Sequence, residues 1–164
     1  MKDYQIMSSE IADLIARIEE QESRLQFTRF THDDAWMIGS SLVRFARERS
    51  LGITIDITKG DQQVFHAATA GTSADNDDWV ARKIRTVRRF GTSSFLVGRR
   101  HAEAGTDFNQ QTGLPLSRFA AHGGSFPVVI RDAGLVGTIT VSGLPQADDH
   151  ALVVEAIEAF LSQS

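Results

Sequence analysis

The sequence predicts an α+β fold built on a mostly antiparallel sheet, and three observations carry that expectation. "ITIDIT" at 53–58 and "QQVFHAATAG" at 62–71 are β-patterned runs separated by "KGD", and "SFPVVI" and "LVGTITVSG" repeat the arrangement around "RDAG". Strands joined by turns this short must run antiparallel. Helical periodicity fills the segments between and outside the two hairpins, an element order that belongs to the α+β class.

Taken in order, Ile11, Leu14, Ile15, Ile18 and Leu25 recur at helical spacing with Glu and Arg between them, so residues 9 to 25 form an amphipathic helix. A short edge strand is expected near Gln26 to Phe30. Thr31, with Asp34 three residues later, opens a second helix that runs to about Arg49. Its apolar face, from Trp36 through Leu42 to Ala46, is wider than one sheet contact needs, and part of it is expected to meet another subunit. In "ITIDIT", Ile53, Ile55 and Ile57 alternate with Thr54, Asp56 and Thr58, the period-two pattern of a strand with one buried face. "TSADND" caps the helix containing "DNDDWVARKIRTVRRF", whose acids lead and arginines trail as the macrodipole favours. Gly91 ends that helix, and "TSS" starts another that closes at Gly105. "TDFNQQTGLPLSRF" reads as a loop with one helical turn. After the second hairpin, "ADDHALVVEAIEAFLSQ" makes a closing helix with Val153, Ala156, Ile157, Phe160 and Leu161 inward.

The 164 residues fit one domain spanning 1–164, long enough to bury roughly 70% of the unfolded chain's surface. Hydrophobic residues at 41% and charged residues at 23% exclude a disordered chain. The absence of cysteine excludes disulfides, thiolate nucleophiles and sulfur-ligated metals. Charges interrupt the opening 25 residues too often for a signal peptide, and no run reaches membrane-spanning length, so a cytoplasmic protein without membrane partners is expected. The net charge of −4 hides an asymmetry: seven of the seventeen Lys and Arg residues lie between Arg82 and Arg100. One basic segment on an acidic chain suits a small anionic ligand or an intersubunit seam better than nucleic acid. A helix-turn-helix reading of the segment around Gly91 fits poorly with the preceding hairpin and the acidic helix start.

No phosphate loop, Rossmann glycine triplet, HExxH pair or Gly-x-Ser-x-Gly elbow is present. Three softer constellations remain. In His122-Gly123-Gly124-Ser125, paired glycines let a flat ligand approach while the imidazole binds iron or shuttles a proton; equally, the glycines serve an unusual turn and His122 bonds to the backbone. Asp75, Asn76, Trp79, Arg82, Lys83 and Arg85 offer caps, an aromatic wall and carboxylate-binding cations, or else a solvated surface or subunit seam. In "VSGLPQADDH", Asp148 and Asp149 sit where the helix dipole favours anions, and Asp149 with His150 either caps the helix or forms a polar pair above the strand ends. His66, beside Phe65 in a strand, reads as packed, and His32 and His101 lie in charged helical surroundings.

Taken together, "GGSFPVVI", "GLVGTITVSG" and the acid-bearing last helix resemble the GlcG/HbpS-like family, the heme-degrading-domain group of small profilin-like proteins. "DDAWMIG", "QQVFHAATAGTSADNDDWVARK", "FGTSSF" and "AAHGGSFPV" resemble its bacterial and fungal cytosolic branch, an uncharacterised protein family; the likeness spans about residues 27 to 162. It implies a profilin-like, five-stranded antiparallel sheet flanked by helices, homo-oligomers built from dimers, and heme or another tetrapyrrole as ligand, in some members with slow heme breakdown. Ser142, Gly143 and Asp149 match the family pattern residue by residue. Gly143-Leu144-Pro145-Gln146 replaces the usual Gly-Gly-Thr-Pro, and no iron ligand is matched.

The expectation is a homo-oligomer that binds heme or a similar planar anionic molecule, with turnover left open. His122 would be the axial ligand or proton donor, Gly123 and Gly124 would make room for the macrocycle, and Arg82 and Arg85 would meet its carboxylates. Asp75, Asn76, Trp79, Ser142 and Gly143 would line the site, with His122 and Asp149 as the catalytic candidates and no intrinsic metal. The alternative is a non-enzymatic oligomeric scaffold that docks protein partners through apolar helix faces and the arginine belt.

Overall fold

The computed structural model describes residues 2 to 163, with side chains from residue 9 onward; Met1 and Ser164, the ends of the expected 1–164 domain, lie outside the described residues. The elements are α1 (Lys2–Arg24), α2 (His32–Glu48), β1 (Thr54–Lys59), β2 (Gln62–Ala68), α3 (Ala74–Phe90), α4 (Ser94–Glu103), α5 (Phe108–Thr112), β3 (Ser125–Ile130), β4 (Gly134–Ser142) and α6 (Gln146–Leu161). Helix starts follow their capping residues. Thr31 Oγ1 accepts from the Asp34 N–H at 3.1 Å while Asp34 Oδ2 accepts from the Thr31 N–H at 2.7 Å, a reciprocal pair that fixes where α2 begins. At the far end of α3, Gly91 adopts φ 74° and its N–H donates to Val87 O, closing the helix as expected.

The sheet is antiparallel with strand order β2-β1-β4-β3. It has four strands, not five. The edge strand expected near residues 26–30 reduces to one parallel bridge between Phe27 and Ile130, with two backbone bonds of 2.8 Å. Phe27 and Phe30 are both buried and stack edge-to-face at 5.3 Å. Residues three apart cannot face the same way in a strand, so burying both rings breaks the alternation before a ladder can grow.

One face of the sheet is apolar. Ile53, Ile55, Ile57, Phe126, Ile139 and Val141 form a continuous core with Ile38 and Leu42 of α2 and Val153 and Ile157 of α6. The other face was expected to meet solvent, but α3 covers it and Thr54, Asp56 and Thr58 are buried as well. Hydroxyl pairing makes this polar layer tolerable: Thr58 bonds Thr138 at 2.7 Å and Ser125 bonds Thr140 at 2.8 Å across the strands. His66 is not simply packed. Its Nδ1 lies 2.9 Å from Asp56 Oδ2 and its Nε2 2.9 Å from Asp77 Oδ1, tying both hairpin strands to α3.

Helix α1 starts at Lys2 rather than near residue 9 and packs on α4 through Ile15, Ile18, Phe95 and Leu96. Glu22 receives both the N–H (2.8 Å) and the hydroxyl (3.2 Å) of Ser93, anchoring the start of α4; burial raises this carboxyl above its ordinary range. With α3 across the sheet and α4 held beside it, the loop that carries His122 threads between them.

Candidate functional site

At the end of the sheet where β4 finishes, four segments meet around a hollow of about 280 Å³. Helix α3 contributes Asp75, Asn76, Trp79 and Lys83, which recur along one face at the helical period. The turn after β4 contributes Ser142, Gly143 and Leu144; the first turns of α6 contribute Gln146 and Asp149; the loop before β3 contributes His122. Three separate sequence constellations thus share one wall. A second hollow, about 200 Å³ and lined by Arg99, His101, Thr106 and Asn109 among others, shares His122 and Gln146 with the first. His122 therefore stands on the ridge between them.

The floor of the first hollow is a buried ion pair. Lys83 Nζ donates to Asp149 Oδ2 at 3.0 Å and to Val141 O at 3.1 Å, and the two side chains are 4% and 2% exposed. The Leu144 N–H donates to Asp149 Oδ1 at 2.9 Å, so both carboxylate oxygens are engaged. Burial lowers the Lys83 pKa and raises that of Asp149, each effect opposed by the attraction of the partner.

His122 is exposed at its edge and packs edge-to-face on Trp79 at 5.1 Å. Among the described residues neither ring nitrogen has a hydrogen-bond partner. Partial burial, then the charges of Lys83 and Arg99, lower its pKa, so the ring is neutral near pH 7 and keeps a free lone pair. Ser142 Oγ is likewise without a hydrogen-bond partner among the described residues. The hollow thus offers an imidazole and a hydroxyl with unused bonding capacity, held on rigid elements.

Several expected roles need correction. The space beside Gly123 and Gly124 is filled by protein: a Cβ on Gly123 would lie 2.3 Å from Gln146 O, and one on Gly124, at φ +132°, would lie 2.3 Å from Val141 O and 2.7 Å from Lys83 Nζ. These glycines admit the α6 backbone and the lysine, not a macrocycle. Arg82 is committed to Asp78 at 3.0 Å and stacks over Trp79 with its Cζ 4.9 Å from the ring, behind the wall. Arg85 lies off the lining face and donates to Arg118 O at 3.3 Å. Asp149 and His150 do not pair. His150 points the other way, its Nε2 2.8 Å from Gln21 Oε1 and its ring against Phe95 and Phe126, and burial pushes its pKa down to about 4.

Sequence reasoning missed the pairing of Lys83 with Asp149 and the part played by Arg99. The first had a signal in the four-residue spacing of Asp75, Trp79 and Lys83; the second had none, because α4 is one of several charged helices. Arg99 stacks over Phe95 with its Cζ 5.4 Å from the ring, forms no ion pair among the described residues, and has its Nε buried without a partner. It is the unengaged cation of the second hollow. A larger hollow, about 630 Å³, opens at the hairpin turns around Lys59, Gly60 and Gly137 on the opposite end of the sheet, away from this convergence. Among the described residues no group of three or more His, Asp or Glu is placed to hold a metal, and no helix is long and apolar enough to cross a membrane.

Fold and site define a small α+β protein with a polar pocket at one end of an antiparallel sheet, bordered by a free imidazole. The chain belongs to the family described as haem degrading protein HbpS-like, whose model matches residues 30–158. It is 54% identical over 152 residues to a UPF0303 protein of Streptomyces coelicolor, covering 93% of this chain and 96% of that one. A UPF0303 protein of Rhizobium meliloti is 50% identical over 147 residues, covering 90% of each chain. Among solved structures, Ybr137w protein superposes with a TM-score of 0.83 at 28% identity, over 91% of this chain and 88% of that one. PduOC in complex with heme superposes at 0.66 with 16% identity, over 79% and 94%, a likeness of fold.

Proposed function

We propose that this protein binds heme or a similar planar anionic molecule at His122, as a cytoplasmic homo-oligomer built from dimers. The observation that carries the reading is the neutral, unpartnered imidazole on an accessible ridge with a free cation beside it. His122 would hold the iron, and Arg99, in place of Arg82 and Arg85, would meet the carboxylates. Trp79 fixes the imidazole plane by edge contact. The first hollow, about 280 Å³, lies at the lower edge of the roughly 300–1,000 Å³ of pockets that enclose a drug-sized ligand, and a second copy would supply the remaining cover. Bound heme would supply a redox-active iron centre; the chain itself binds, orients and charge-neutralises it. The family description and the heme complex of PduOC support this choice of ligand, and heme breakdown is the reaction it would permit.

Titration with ferric heme tests the reading. A saturable Soret shift is expected that His122→Ala abolishes and that Arg99→Ala weakens about ten-fold, the loss of roughly 1.4 kcal/mol. Absence of a saturable shift at micromolar heme overturns it.

A second reading, an oligomeric scaffold that docks protein partners, is favoured by α2. Trp36 and Met37 are 64% and 51% exposed, and Trp36 with Phe65 borders a hollow of about 450 Å³. On this reading Trp36→Ala changes the oligomer mass measured by light scattering. An unchanged mass, together with a heme titration that saturates, favours the first reading.

A further inference from the structure

We propose that Lys83 is a carbonyl-reactive amine: the floor of the first hollow takes a small aldehyde or ketone and holds it as an imine on Nζ, with Asp149 handling the proton. The proposal uses the floor rather than the His122 ridge, so it stands or fails separately from heme binding.

The placement of the amine is the first ground. Of seventeen basic residues only Lys2, Lys59 and Lys83 are lysines, and Lys83 is driven into the interior. An arginine cannot release its proton in a protein, whereas a lysine can, and the buried cation is the lysine. Its bonds to Asp149 and Val141 O use two of three N–H groups, leaving one for the hollow that Lys83 lines. Gly124 gives the amine its seat, since any side chain there would crowd Nζ at 2.7 Å.

The surroundings are the second ground. Asp149 is fixed by the Leu144 N–H and sits 3.0 Å from the amine, the distance for direct proton transfer. Ser142 faces the same space with an unused hydroxyl that can orient a carbonyl oxygen. Burial lowers the Lys83 pKa and raises that of Asp149, and both shifts narrow the gap a proton crosses between them.

The step balances without any oxidant or reductant. The ammonium passes a proton to Asp149, the amine nitrogen attacks the carbonyl carbon, and a C–N bond forms as the oxygen becomes a hydroxyl. The C–O bond then breaks, the oxygen leaves as water with the two hydrogens lost from nitrogen, and a protonated imine remains beside the Asp149 carboxylate. A cation on that carbon draws electrons from the adjacent bond, the property that imine-forming lysines supply to proton abstraction and carbon–carbon cleavage.

The experiment is reductive trapping on the full-length protein. Purified chain is incubated with propanal or with pyruvate, treated with sodium borohydride, and mapped by peptide mass spectrometry. The expected result is one saturable adduct on the peptide containing Lys83, with Lys2 and Lys59 unmodified. Lys83→Arg, which keeps the charge beside Asp149, loses the adduct. Should that variant fail to fold, the wild-type map alone decides. No adduct with either carbonyl, or equal labelling of Lys59 and Lys83, overturns the proposal.

Discussion

Lys83→Met is expected to destabilise the fold by about 3–5 kcal/mol, because it strands the Asp149 carboxylate in the interior. The magnitude reflects the uncompensated charge rather than the attraction lost. In the variant the remaining burial raises the Asp149 pKa further, so the folded state holds a proton that the unfolded chain releases. Stability of the variant therefore falls as pH rises through that value, a dependence that is weaker in the wild type, where the ammonium offsets part of the burial. Urea unfolding checks this: the midpoint drops while the slope is retained, and the melting temperature falls by roughly 10 °C or more. A double variant, Lys83→Met with Asp149→Leu, removes both charges and is expected to recover most of the loss.

The second large effect is acid destabilisation through His150. In the unfolded chain its imidazole gains a proton near its ordinary 6.5, but in the folded protein burial against Phe95 and Phe126 pushes that event down to about 4. Between those values the unfolded state binds more protons, so stability is full above about pH 6.5 and is lost as pH falls toward 4. The gap corresponds to about 3 kcal/mol. His122, also lowered, works in the same direction, whereas Glu22 and Asp149, both raised, work against it. Comparison with His150→Gln isolates the histidine: the advantage of the wild type over the variant at pH 7 is expected to shrink by that amount at pH 4. A constant difference across the range contradicts the assignment.

Much of the architecture was legible because the signals were local. The Thr31–Asp34 box, Gly91 and the two short hairpin turns are read from a few adjacent residues, and each element they predict is present with its boundary shifted by little. The fifth strand failed for a tertiary reason, since nothing local tells Phe27 and Phe30 that both rings will be taken by one core. The polar side of β1 failed similarly. Alternation of Ile with Thr and Asp reads as one wet face, yet α3 covers that face; a cross-strand hydroxyl pair satisfies Thr58, while Thr54 Oγ1 and Asp56 Oδ1 are buried without a partner among the described residues.

For the site, the residues at 75–83, 122 and 142–149 come together around one hollow, because the last turn of β4 and the first turns of α3 and α6 lie at the same end of the sheet. What each side chain does there was less legible. Glycine is read equally as room for a ligand or as room for neighbouring backbone, and at 123 and 124 the backbone and Lys83 fill the space. Arginine in a basic run is read as a ligand clamp until its partner is known, and Asp78 and Arg118 O hold Arg82 and Arg85. Arg99, which has no such partner among the described residues, sits in a run that sequence alone gives no reason to prefer.

The most direct measurement is chemical rescue of the ring at 122. His122→Gly removes the imidazole and leaves the ridge open on both sides, and the variant is loaded with ferric heme with and without free imidazole. The wild-type Soret band is expected to be lost in the variant and to return on adding imidazole. A variant whose heme spectrum and affinity match the wild type without imidazole would show that iron, if bound, is held elsewhere, and would contradict the site described above.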